Sequence, residues 1–148
     1  MTALTSRILL PVANEEDATR TCKAITEHLS KEANTTDVVA VHVIEKADGA
    51  PDKAPLAARE EQAERIFRII EQFLHPLGYD VETRMLYGTD VLQSLLDVAA
   101  DAEVTSVLFV PRPSGRLTRL LTGDLSSQLV LESPVPVITL PQPAESED

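Results

Sequence analysis

Three arginines, Arg112, Arg116 and Arg119, stand within one short stretch of a chain that carries 24 acidic and 13 basic side chains. Their forked guanidinium donors suit a phosphate or a carboxylate, so this stretch favours an anionic ligand. The alternative is a solvated loop whose arginines pair with neighbouring Asp and Glu at little net gain. Just beyond lie Gly123, Asp124, Leu125 and Ser126, which open a helical pattern. A helix start offers free N–H groups to an anion. Asp124 is itself a good N-cap, however, and its carboxylate then takes the place a phosphate would occupy.

Other reactive side chains are sparse. Cys22 is the single cysteine and falls on the apolar stripe of a helical pattern, which points to a buried, inert thiol. His28, His42 and His75 lie on separate elements without metal-ligand spacing and read as structural, so no metal site is expected. Glu15, Glu16 and Asp17 form a charge run at a helix start and read as solvated. The sequence has neither a G-x-S-x-G elbow nor a P-loop. No catalytic residue is assigned, and the expectation is a binding or regulatory module rather than an enzyme.

The formal charge of −11 opposes attraction to nucleic acid and to anionic lipid. No apolar run approaches the roughly 20 residues of a membrane helix, so direct membrane insertion is not expected. The first residues lack the features of a secretory signal, and a lone cysteine fits a reducing compartment. A cytoplasmic location is therefore expected. With only four lysines, Lys23, Lys31, Lys46 and Lys53, the acidic balance is similar to that of proteins from a halophile's salt-rich cytoplasm. There, screening over roughly 3 Å at 1 M salt makes such self-repulsion tolerable.

The elements that must position these residues alternate along the chain. Arg7–Val12 is a short apolar run that predicts a strand buried on both faces, and Asn14 can cap a helix running to about Ala33. Asp37–Ile44 predicts a second central strand. A Gly/Pro-bearing loop leads to a helix that carries Ala63, Ile66, Phe67 and Ile70 on one face and stops at Gly78. Val81–Tyr87 is more polar, as suits an edge strand, and a third helix begins after Gly88, Thr89 and Asp90. Val104–Val110 and Val135–Leu140 predict two further strands around a last helix at Leu125–Leu131. The pattern implies one α/β domain over residues 1–140, a five-stranded parallel sheet with helices on both faces, and a disordered acidic tail at 141–148. Ligands of such sheets bind beyond the carboxyl ends of the strands, here at Val12–Asn14 and Val110–Asp124.

The chain resembles the universal stress protein family over nearly its whole length. The residues that carry the likeness are RILLPV at the start, VHVIE in the second strand, RLTRLLTGDLSSQLV and the closing PVPVITLP. The resemblance implies a Rossmann-like sheet in strand order 3-2-1-4-5 and a dimer. It also implies where a nucleotide would sit. ATP-binding relatives carry Asp after the first strand, where this chain has Ala13, and two loop glycines, where it has Val110 and Pro113 on either side of Arg112. A hydroxyl follows their third glycine, where this chain has Asp124 after Gly123. Gly123, Leu125, Ser126 and Val43, the position that contacts adenine in such relatives, complete the set. Pro113 has no N–H to give a phosphate and Val110 blocks the close approach glycine allows, so ATP is disfavoured as a cofactor.

The functional expectation is a non-catalytic stress-response regulator acting through dimerisation and through an unknown protein partner or small ligand. The alternatives are a nucleotide-binding member with an atypical loop and a soluble accessory regulator of a membrane transporter. The homodimer is expected to form through the apolar last strand, at Val135, Val137, Ile138 and Leu140.

Overall fold

The apolar runs become strands covered on both faces. In a computed structural model of the chain, which describes residues 4–29, 36–45, 56–111 and 123–143, RILLP forms β1 (Arg7–Pro11) and DVVAVHVIE forms β2 (Asp37–Glu45). Every β2 residue between its two exposed ends is buried, which explains why the run shows no polar alternation. The other strands are β3 (Asp80–Gly88), β4 (Ser106–Phe109) and β5 (Val137–Thr139). All pair in parallel, in the order β3-β2-β1-β4-β5. The expected architecture and strand order are both present.

Among the described residues four α-helices connect the strands: α1 (Glu15–Leu29), α2 (Leu56–Leu74), α3 (Val91–Asp101) and α4 (Gly123–Glu132). Period-two alternation within the strands divides the core between two faces. Ile8, Leu10 and Leu108 pack with Ile25, Ile66 and Ile70 of α1 and α2. Leu9, Val107 and Phe109 pack with Leu95, Val98 and Leu129 of α3 and α4.

Turn chemistry follows the residue types. After a short 3-10 turn at His75–Leu77, Gly78 stops the chain at φ 104°, a left-handed conformation that glycine adopts without a Cβ penalty. Asp90 caps α3 by accepting from the Gln93 N–H at 3.1 Å. The last two strands are shorter than the apolar runs at 104–110 and 135–140 suggest. Pro136 has no N–H for the ladder, though its carbonyl accepts from Val107 N at 2.9 Å, so regular pairing starts only at Val137. The expected end of α1 near Ala33 and the tail from residue 144 lie outside the described residues.

Acidic excess in a small fold leads to a first expected outcome. Self-repulsion at −11 is relieved by screening, so the unfolding temperature should rise between dilute buffer and about 2 M KCl. A temperature that stays constant across that range in calorimetry would contradict this.

Candidate functional site

The strand order reverses between β1 and β4, and the carboxyl ends of β1 and β2 open beside that point. Val12 continues the β1 direction, its N–H bonded to the Val41 carbonyl at 3.0 Å. Pro11, Val12, Val41 and Val43 then meet Val91 and Leu95 of α3 and Leu125 of α4 around one crevice. Its volume is about 10 Å³, at the lower limit of what holds a single water. Every residue that lines it is apolar. Its described lining offers packing to a ligand but no side-chain hydrogen bond.

The turn after β1 is built on a buried carboxylate. Asp17 is fully buried, and its Oδ2 accepts from the Ala13 N–H at 2.9 Å. In return Asn14 Oδ1 accepts from the Asp17 N–H at 2.7 Å, a reciprocal arrangement like a capping box shifted by one residue. Arg20 Nη2 lies 3.4 Å from Asp17 Oδ1. The expectation that the acidic run is solvated therefore fails at Asp17, because the helix turns its third acidic residue inward over β1. The local cap was legible, since Asn14 and Asp17 have the spacing of a cap and its reciprocal partner, but the burial of Asp17 was not.

His42 ties the same turn to β2. Its side chain is buried, and Nδ1 donates to the Val12 carbonyl at 2.9 Å. Burial holds its pKa below the ordinary imidazole value, with the Val12 hydrogen bond acting the other way. The unfolded chain takes up a proton near pH 6.5 while the folded chain resists it. The stability His42 contributes is thus complete above about pH 6.5 and is lost as pH falls towards the lower folded value. Thermal unfolding between about pH 7.5 and pH 5.5 should show a larger loss for the unaltered chain than for His42→Gln. Equal losses in the two proteins would refute that assignment.

The remaining candidates separate. Val43 and Leu125 share the crevice, whereas Val110 is fully buried in the cluster on the opposite, α1–α2 face. Ala13 is half-buried, with its N–H already taken by Asp17. The Ser126 Oγ is shielded from solvent and has no hydrogen-bond partner among the described residues. Gly123 and Asp124 form the first turn of α4, so the helix begins two residues before an Asp124 cap would place it. Arg112, Pro113, Arg116 and Arg119 lie outside the described residues. Cys22 is fully buried, and burial, with Asp17 adding to it, pushes its thiol up to about 12. Such a thiol is inert at neutral pH. Of the other histidines, His28 stands 3.8 Å from Glu27 on the exposed side of α1, and His75 is exposed. No cluster of metal-ligating side chains occurs among the described residues.

Comparison with known proteins decides the family. The model of the universal stress protein family matches residues 5–141. The chain belongs to the universal stress protein family. No curated protein sequence matched it significantly. Among solved structures, this universal stress protein is similar to one from Archaeoglobus fulgidus at 16% identity and TM-score 0.67, over 90% of this chain and 92% of that one. The Archaeoglobus fulgidus protein in complex with dAMP aligns at 15% identity and TM-score 0.65, over 93% and 99%. A family protein from Arabidopsis thaliana with AMP bound aligns at 14% identity and TM-score 0.66, over 97% and 95%. These likenesses concern the fold. Among the described residues of this universal stress protein, no helix is long and apolar enough to cross a membrane.

Proposed function

We propose that this chain is a non-catalytic regulatory member of the family, acting as a dimer through a protein partner or a small ligand, without ATP as a cofactor. The observation that carries this reading is the crevice beyond β1 and β2, apolar throughout and with room for about one water. A nucleoside needs both volume and directional hydrogen bonds, and small-molecule sites usually span several hundred Å³. In this reading the nine family positions, from Ala13 and Val43 through Val110, Arg112 and Pro113 to Gly123, Asp124, Leu125 and Ser126, are remnants of a nucleotide site.

Dimerisation is supported by the β5 edge. Val135 and Val137 pack towards α3 and α4 and Ile138 and Leu140 towards α1 and α2, so the side chains divide between the faces while the strand's outer edge is left unpaired among the described strands. On α4, the helix that leads into β5, Val130 is 54% and Leu131 82% exposed, apolar surface that a second copy would cover. Light scattering in molar salt should give twice the chain mass of 16.1 kDa, and Leu131→Glu should shift the population to the monomer. An unaltered chain that is only monomeric would overturn the dimer.

One observation favours the alternative, a nucleotide-binding member with an atypical loop. The shielded, unpartnered Ser126 Oγ next to Leu125 is a polar atom in need of a partner, and neighbours of this fold have been solved with dAMP and AMP. Nucleotide titration separates the two.

A further inference from the structure

We propose that the β3 edge of the sheet is a docking site for an extended, basic segment of a partner protein, which would add to the sheet as a sixth strand. β3 runs for nine residues and pairs with β2 at all nine positions, so its backbone is fully extended and in register. It is the outermost strand, and no described strand lies on its other side. A long edge of this kind presents a row of free N–H and C=O groups that natural sheets usually shorten, bulge or cover.

The space beside it is already shaped for an occupant. A groove of about 580 Å³ runs between β3 and α3, with Arg84 and Leu86 on the strand and Ser94, Asp97, Val98 and Asp101 on the helix. Its lining is mixed, with Leu86 and Val98 available to apolar side chains and the two aspartates available to cations. In an added strand alternate side chains point to one face, so a segment with a cation or an apolar group at every second position would send that set into the groove.

Charge decides the sign of the partner. Asp97 and Asp101 are four residues apart on α3 and share one exposed face. Arg84, the groove's cation, is engaged at 2.7 Å by Glu82, which also accepts from Arg7 at 3.0 Å. The hydrogen bonds from Arg84 and Arg7 hold the Glu82 carboxyl below its usual range, so it stays ionised. Asp97 accepts from the neutral Gln93 Nε2 at 2.8 Å, so among the described residues the aspartates are left as the groove's uncompensated charges, on a chain of net −11. A lysine- or arginine-bearing strand is complementary, and an acidic one is repelled.

The test uses the full chain and a fluorescein-labelled peptide of alternating Lys and Val, read by anisotropy at near-physiological salt. The expected result is saturable binding that weakens at least about tenfold in Asp97→Asn/Asp101→Asn, while the charge-matched control Glu64→Gln/Glu71→Gln on α2 binds as the unaltered chain does. N-methylation of alternate peptide nitrogens should abolish binding, because it removes the ladder donors but keeps every charge. Amide resonances of residues 84–87 should move on titration. Binding that is equal in both double variants, that survives N-methylation, or that is matched by an alternating Glu–Val peptide would overturn the proposal. So would the absence of saturable binding.

Discussion

Titrated with ATP in a calorimeter, the chain should bind more than a hundredfold more weakly than a variant carrying Ala13→Asp, Val110→Gly, Pro113→Gly and Asp124→Ser. Each position removes a different contribution. A charged hydrogen bond to the carboxylate that relatives carry at the Ala13 position is worth roughly 1.5–3 kcal/mol. Pro113 has no N–H, so one phosphate donor is missing from the backbone. In the proposed reading Asp124 would set a negative charge where relatives carry a hydroxyl beside the phosphates, and like charges at about 4 Å repel by roughly 4 kcal/mol at an effective dielectric of 20. Discounted for solvent and for help from Arg112, a net loss of about 3 kcal/mol remains, which is more than a hundredfold in Kd. Val110 is fully buried, so Val110→Gly also removes core packing. The triple variant that keeps Val110, checked by circular dichroism, therefore serves as the second arm and should recover most of the affinity. A Kd below about 50 micromolar for the unaltered chain would show that the crevice opens to nucleotide after all.

Asp17→Ala should cost about 3 kcal/mol of stability and lower the unfolding temperature by roughly 6–12 °C. The substitution strips the Ala13 N–H of its acceptor and leaves Arg20 without the carboxylate 3.4 Å away, in a place where Arg20 Nε is itself shielded from solvent. A buried donor left unpaired loses its full desolvation cost, whereas replacing both partners would not. Asp17→Asn keeps an acceptor for Ala13 and loses only the charge, so its cost should be smaller. Cys22 supplies an independent readout. Burial is the larger cause of its raised pKa and the Asp17 charge the smaller, so its thiol should stay slow towards disulfide reagents in the folded variant. An unfolding temperature within about 2 °C of the unaltered chain would show that the buried carboxylate is not a keystone of the turn.

The sequence by itself determined the elements and the class of fold, because local spacing encodes them. The almost wholly apolar runs at 7–12 and 37–44 point to strands covered on both sides, and the spacing of Ile66, Phe67 and Ile70 points to a helix with one buried face. Asp90 and Gly78 marked their turns through cap chemistry that needs no distant partner. Strand order was legible only through family resemblance, since periodicity says nothing about which strand lies beside which. Three features of the site were decided by tertiary structure alone. Val110 turns to the α1–α2 face because its parity in the β4 direction opposes that of Phe109, which fills the α3–α4 face. Asp17 is buried although it sits in a run of exposed-looking acids, because α1 lies across β1 and turns that one position inward. The crevice is narrow because α3 and α4 bring Val91, Leu95 and Leu125 together over Val41 and Val43, residues far apart in the chain. A chain's periodicity tells which face of each element is apolar. How much space remains between two such faces depends on how distant side chains interlock, and that distance, here about one water wide, is set only when the layers pack.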